Sequence, residues 1–403
     1  MRSFSALLFA VLIAASWSTS LAFVSIPLTK LDRTGSYLQG APQADRERAS
    51  FLKSQPSSGP KTIPASNLAY VQYTASVGVG SPATYYDLVV DTGSSITFVG
   101  TGKKYARTST SAPTGQHVNV TYGTGFFTGV EYYDTVTLAE NFVITKQSIG
   151  DALQFSDFNG VDGIIGFGPV DLTQGTQTPD TNALVPTIMD NALKQGLIKN
   201  EILGISFAPA TSSKDTNGAL TYGGIDDTLY TGAITYVPVT DTQPAGFFWG
   251  INVTHSTYGS HTIISRSHAG IVDSGTSLVM LADDFFAKYL DAIPGAYLDA
   301  TVGLTVIPSS SVANMNHLNF TIGGHVFSLD KAAQLIPLDQ NTFWGGQTGV
   351  QYGTVCNLGT GSGAGLDFII GQKFMEKYYV IFDADENRVG FAYTDHTFSK
   401  YSS

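Results

Sequence analysis

Two stretches of this chain repeat one another, and the repeat restricts the fold more than any other feature of the sequence. Leu88-Val89-Val90-Asp91-Thr92-Gly93-Ser94-Ser95 is answered by Gly270-Ile271-Val272-Asp273-Ser274-Gly275-Thr276-Ser277. Each is an apolar run that ends on Asp-Thr/Ser-Gly-Ser/Thr. Each is followed at a distance by a second matched pair, Gly163-Ile164-Ile165-Gly166-Phe167-Gly168 and Asp367-Phe368-Ile369-Ile370-Gly371. Continuous apolar runs of this length are strands buried on both faces. An aspartate at the end of such a strand is costly unless it is hydrogen-bonded or paired. A single Asp-Thr-Gly also describes an ordinary turn. Two copies in matching context predict two similar β lobes, each presenting one carboxyl. Forty-three glycines and sixteen prolines punctuate short runs of Val, Thr, Tyr and Phe, the pattern of a chain built mostly of strands.

From Tyr70 to Thr394 the chain resembles the pepsin-like aspartic protease family. The likeness includes Gly78-Val79-Gly80-Ser81-Pro82, Tyr122-Gly123-Thr124-Gly125, Gly223-Gly224-Ile225-Asp226 and Tyr378-Tyr379-Val380-Ile381-Phe382-Asp383. It implies an all-β, bilobal, pepsin-like acid protease fold, with two pseudo-symmetric β-barrel lobes and the active-site cleft between them. It also implies an aspartic-type endopeptidase without cofactor, in which Asp91 and Asp273 are catalytic. Peptide hydrolysis needs an activated water and a polarised carbonyl. Two carboxyls holding one proton between them supply both, because like charges about 3 Å apart cannot both ionise cheaply. Aspartic proteases are the standard illustration of that sharing. The ionised carboxyl takes a proton from water and the protonated one donates to the carbonyl oxygen.

The family likeness assigns supporting roles around the pair. Gly93 and Gly275 allow close backbone approach. Thr92 and Ser274 resemble the paired hydroxyls that tie the two loops together. Ser94 and Thr276 resemble the outer hydroxyls that bond the aspartates, and Gly166 and Gly371 the points where a strand passes through each loop. Tyr122, Gly123 and Thr124 read locally as a hairpin tip, and the likeness makes them the flap that closes over substrate. Phe155 and Ile164 align with the pocket before the scissile bond, Phe248 and Ile271 with the pocket after it. Large hydrophobic residues are expected on both sides of the cut. Thr124 stands where some fungal relatives carry an Asp that accepts Lys, so cleavage after Lys is expected to be weak. One position departs from the family: Phe98 stands where most members have a Trp that donates to the flap tyrosine, so a looser flap is expected.

The start of the chain reads as targeting and processing. Arg2, an apolar run from Ala6 to Trp17 and Ser20-Leu21-Ala22 match a secretory signal over residues 1–22. Residues 23–60 carry Lys30, Arg33, Arg46, Arg48 and Lys53 in a chain of net charge −11, and Ser54 to Pro64 is rich in Ser, Pro and Gly. A basic segment beside an acidic body predicts a propeptide held partly by charge, with a linker at its end. The N-terminal lobe with the flap is then expected over 61–236 and the C-terminal lobe over 237–403. Secretion as a monomer follows, with no membrane partner and no lipid anchor. Asn119, Asn252 and Asn319 each open an Asn-x-Thr glycosylation triplet.

Other functions find no support. Nucleic acid needs clustered Lys and Arg, which the acidic body lacks. One cysteine, Cys356, excludes an intrachain disulfide and a cysteine-rich zinc module, and it reads as buried packing. Seven histidines form no His-Glu-x-x-His, so no metal site is expected. There is no Gly-x-Ser-x-Gly elbow. Partners are therefore protein or peptide substrates and pepstatin-like inhibitors. An inactive binding or inhibitor protein on the same fold is the alternative, and the two intact Asp-Thr/Ser-Gly motifs speak against it.

Overall fold

The computed structural model describes residues 23–30, 35–54, 73–121, 125–156, 158, 160–209 and 218–398. The expected signal segment, the linker beyond Ser54 and the flap residues Tyr122, Gly123 and Thr124 lie outside these described residues. Strands dominate, as the glycine-punctuated β-branched and aromatic runs require.

The repeated sequence becomes a repeated topology. Strand Thr84–Asp91 lies parallel to Gly163–Gly166, with Asp91 opposite Gly166. Strand His268–Val272 lies parallel to Phe368–Ile370, with Val272 opposite Ile370. In both lobes a short third strand, Phe98–Val99 or Val279–Leu281, runs antiparallel to the second one. Parallel neighbours must be covered on both faces, which is why the paired stretches 88–90, 164–165, 271–272 and 368–370 are apolar.

In the N-terminal half, Tyr73–Val79 pairs with Thr84–Asp91 on one side and with Phe126–Ala139 on the other. That second pairing closes a barrel and leaves no free edge there. The C-terminal half carries its own eight-stranded sheet. The last strands, Tyr378–Asp383 and Arg388–Tyr393, return to the first sheet and pair with Ile202–Phe207 and Thr231–Pro238. A cut at 236/237 therefore falls inside a strand. The halves are woven together there rather than joined by a linker.

The leading segment is built into this frame. Strand Val24–Lys30 sits between Gly218–Tyr222 and Tyr73–Val79. Helix Ala41–Lys53 follows, with Pro42 in its first turn, where proline's missing N–H costs nothing. Its buried residues include Ala41, Asp45, Arg48, Ala49 and Leu52, one stripe at helical spacing. Two members of that stripe are charged, and both are aimed at the centre of the molecule.

The N-terminal barrel also hides a carboxyl. Glu131 is 1% exposed. One of its oxygens accepts from the Ser148 hydroxyl and the other, Oε2, has no hydrogen-bond partner. Burial pushes its pKa up to about 7, against the bond from Ser148, from an ordinary 4.5. The folded chain thus keeps this proton to about pH 7, while the unfolded chain releases it near 4.5. Stability falls as pH rises through that window, by about 3 kcal/mol in total. Glu131→Gln should leave the melting temperature at pH 4 almost unchanged and raise it at pH 7.5 by about 5 °C. An equal shift at both pH values would contradict this account.

Candidate active site

Asp91 ends its strand, Asp273 directly follows the strand His268–Val272, and the two meet at the centre of the molecule, both fully buried. Each carboxylate is held in the same way. Asp91 accepts from the backbone N–H of Gly93 (3.0 Å) and the Ser94 hydroxyl (2.5 Å). Asp273 accepts from the N–H of Gly275 (3.0 Å) and the Thr276 hydroxyl (2.6 Å). These bonds offset the cost of placing acids at the ends of buried strands.

The two loops are cross-tied. The Thr92 N–H donates to Ser274 Oγ (3.0 Å) and the Ser274 N–H to Thr92 Oγ1 (2.9 Å). Each hydroxyl then reaches across the junction: Ser274 donates to the Val90 carbonyl and Thr92 to the Val272 carbonyl. The glycines are required by proximity. A Cβ on Gly93 would stand 2.6 Å from Asp273 Oδ1, and one on Gly275 would stand 2.5 Å from Asp91 Oδ1. Gly166 and Gly371 are pressed as closely: a Cβ on Gly371 would lie 2.5 Å from the Thr276 carbonyl oxygen.

Between the carboxyls lies a residue that sequence reasoning did not single out. Arg48 Nη2 donates to Asp91 Oδ1 at 2.8 Å and to Asp273 Oδ1 at 2.7 Å, and its Nε donates to Asp273 Oδ2 at 2.6 Å. One nitrogen thus touches both aspartates, which fixes their oxygens within a few ångströms of each other. Burial lifts the Asp91 pKa above the usual range, against the pull of Arg48, and the charge of Asp273 adds to the lift. Burial works against the charged guanidinium, but Asp273 and Asp91 more than restore it, so Arg48 holds its proton tightly.

Asp45, one turn earlier on the helix, accepts from the N–H groups of Ser277 (3.3 Å) and Leu278 (3.1 Å). Burial pushes its pKa up to about 7, although those N–H groups and Arg48 pull it down. The sequence signal for these two residues was weak. Arg48 is one of several basic residues in the segment, and only its place on the buried stripe marks it out.

The proposed pocket residues fall into two groups. Ile164 is fully buried in a cluster with Phe98, Phe127 and Phe158, and half-buried Phe155 packs against that cluster. Phe98 stacks on Phe127 at 3.9 Å between ring centroids. Ile271 and Phe248 lie in the larger core cluster, which runs through both halves. Phe248 also lines a cavity of about 400 Å³ with Phe167, Pro169, Phe247 and Trp249. Asn119 and Asn252 are exposed. Asn319 is half-buried, with its amide N–H donating to Thr257 and its amide oxygen accepting from Ser328. Cys356 is fully buried, and burial raises its thiol pKa to about 11. Among the described residues no group of His, Cys, Asp and Glu could hold a metal ion, and no helix is long and apolar enough to cross a membrane.

Comparison with known proteins agrees with this geometry. Residues 72–394 match the model of the eukaryotic aspartyl protease family. The chain is 51% identical over 336 residues to polyporopepsin from Irpex lacteus, covering 83% of this chain and 98% of that one. It is 28% identical over 350 residues to pepsin A from Sus scrofa, covering 82% and 83% of the two chains. The crystal structure of the aspartic proteinase from Irpex lacteus superposes with a TM-score of 0.81 at 45% identity, over 94% of this chain and 99% of the other. The chain belongs to the eukaryotic aspartyl protease family, the pepsin-like aspartic endopeptidases.

Proposed function

We propose that this chain is the precursor of a secreted endopeptidase that hydrolyses proteins at acid pH with the carboxyl pair Asp91 and Asp273, and that Arg48 keeps the pair silent until the leading segment is removed. The observation that carries this reading is the shared contact of Arg48 Nη2 with both carboxyls. Any water and peptide carbonyl that react there must displace the guanidinium. The family match begins only at residue 72, which supports treating the preceding segment as separable.

Once the pair is free, the mechanism follows from the bonds around it. Burial and mutual repulsion keep one proton on two carboxyls. Ser94 and Thr276 donate to the outer oxygens and so orient the carboxyl planes. The ionised carboxyl withdraws a proton from water as the water attacks, and the other donates its proton to the carbonyl oxygen. No covalent acyl-enzyme forms.

Acid acts on the docked segment in two opposing ways. Protonating the dyad weakens its hold on Arg48, which favours release. Asp45 has its pKa raised by docking, so docking takes up a proton there, and acid favours retention at that residue. The pair sets two carboxyls against the single Asp45, so release prevails. The purified precursor should therefore lose its leading segment at about pH 3–4 and become a pepstatin-sensitive hydrolase of denatured protein. A precursor that stays intact and inactive under those conditions would overturn the proposal.

Half-buried Phe155 offers an apolar surface to a large hydrophobic side chain before the cut, with Ile164 buried in the cluster behind it. Lys104 Nζ lies 5.0 Å from the centroid of the Phe155 ring. A second ammonium there meets a like charge. For matched peptides, kcat/KM for cleavage after Phe or Leu should exceed that after Lys by about tenfold or more. A ratio favouring Lys would remove this specificity assignment and leave the dyad untouched.

A further inference from the structure

We propose that the loop 357–363, backed by Asp283 and Asp284, is an extended subsite of the mature enzyme that takes the ammonium of a substrate lysine a few residues from the scissile bond. The inference rests on the protease reading above. Its starting point is that the site already holds such a group. Lys53 Nζ, on the last turn of the 41–53 helix, donates to Thr360 Oγ1 at 2.6 Å and to the Gly361 carbonyl at 3.1 Å. Burial lowers the Lys53 pKa below its ordinary value, and Asp367, Asp283 and Asp284 offset part of that cost as opposite charges.

The loop does not depend on its occupant. Asp283 accepts from the Asn357 amide at 3.1 Å and the Gly359 N–H at 2.9 Å. Asp284 accepts from the N–H and the hydroxyl of Ser362, both at 2.9 Å. Asp367 accepts from the Gly363 N–H at 2.8 Å. None of these bonds involves the leading segment. When the helix leaves, a polar cradle remains with three carboxylates behind it. Asp284 stays ionised into the acid range: burial opposes this, but the two Ser362 bonds and Lys288 hold its pKa below the usual value. The cradle is thus anionic where the enzyme works.

Distance places the cradle within reach of a bound peptide. Lys53 follows Arg48 by five residues, about 7.5 Å along a helix, and Arg48 marks the dyad. An extended peptide advances about 3.3 Å per residue, so the lysine belongs about two to four residues from the cut.

The test uses the activated enzyme and a peptide set with a constant hydrophobic cleavage pair. Lysine or norleucine is placed in turn at each of five positions on either side. The expected result is one position, two to four residues from the cut, where lysine raises kcat/KM about fivefold over norleucine at low ionic strength. That ratio should fall toward one in 1 M salt and in Asp284→Asn. No lysine gain at any position, or a gain indifferent to both salt and Asp284→Asn, would overturn the subsite while the norleucine peptides still report an active protease. Failure to cleave any peptide would overturn the protease reading with it.

Discussion

The precursor carrying Arg48→Leu should be partly active at a pH where the unaltered precursor is silent. Arg48 is fully buried and makes three charge-assisted bonds to the dyad. Breaking a buried ion pair by removing one partner costs about 3–5 kcal/mol. Here the penalty falls on the docked state alone, because an undocked dyad is solvated. It falls at the lower end of that range, since two carboxyls left without their cation can retain a proton between them. The ratio of undocked to docked segment should still rise about a hundredfold. At pH 6.5, Arg48→Leu should bind a pepstatin-like inhibitor up to about a hundredfold more tightly than the unaltered precursor does. Arg48→Lys should fall between, because a lysine keeps the charge but cannot reach both carboxyls with a planar fork. Equal inhibitor affinity in all three precursors would show that the helix, and not the guanidinium, blocks the site.

Much of this architecture was legible in the sequence, for a physical reason. A strand buried on both faces must be apolar throughout, so each lobe's central strands stand out as uninterrupted runs before Asp91 and Asp273. The contacts of Ser94 with Asp91 and of Thr276 with Asp273 are local to each motif, whereas the cross-ties between Thr92 and Ser274, 182 positions apart, were expected only from the family resemblance. What stayed hidden depends on distant partners. Arg48 lies 43 positions from Asp91 and 225 from Asp273 in the chain, and nothing in its neighbourhood distinguishes it from Arg46. Asp45 reads as a surface acid until its two backbone donors, Ser277 and Leu278, are seen. The return of Tyr378–Asp383 and Arg388–Tyr393 to the first sheet is a pairing of long sequence separation, and it moves the division of the lobes away from any linker. Glu131 shares a long strand with a second acid, Asp134, and nothing in the sequence shows that both are buried.

Replacing either carboxyl of the proposed catalytic pair should have the largest effect of all. Asp91→Asn and Asp273→Asn each put an amide where the reaction needs a group that can give or take a proton. The amide is close to the carboxyl in shape and can still accept from the Gly93 and Ser94, or Gly275 and Thr276, donors through its oxygen. Folding should therefore survive while proton transfer does not. With one member gone there is neither a carboxylate facing an acid nor a shared proton, and kcat should fall about 10³-fold or more. The central claim is that these two residues act as one unit. It is tested most directly by kcat at acid pH for Asp91→Asn, Asp273→Asn and the double variant, each with the leading segment removed and its fold checked by thermal melting. The account predicts that each single replacement costs nearly as much as both together. Additive losses, or a folded single variant that retains more than about a tenth of the parent rate, would contradict it.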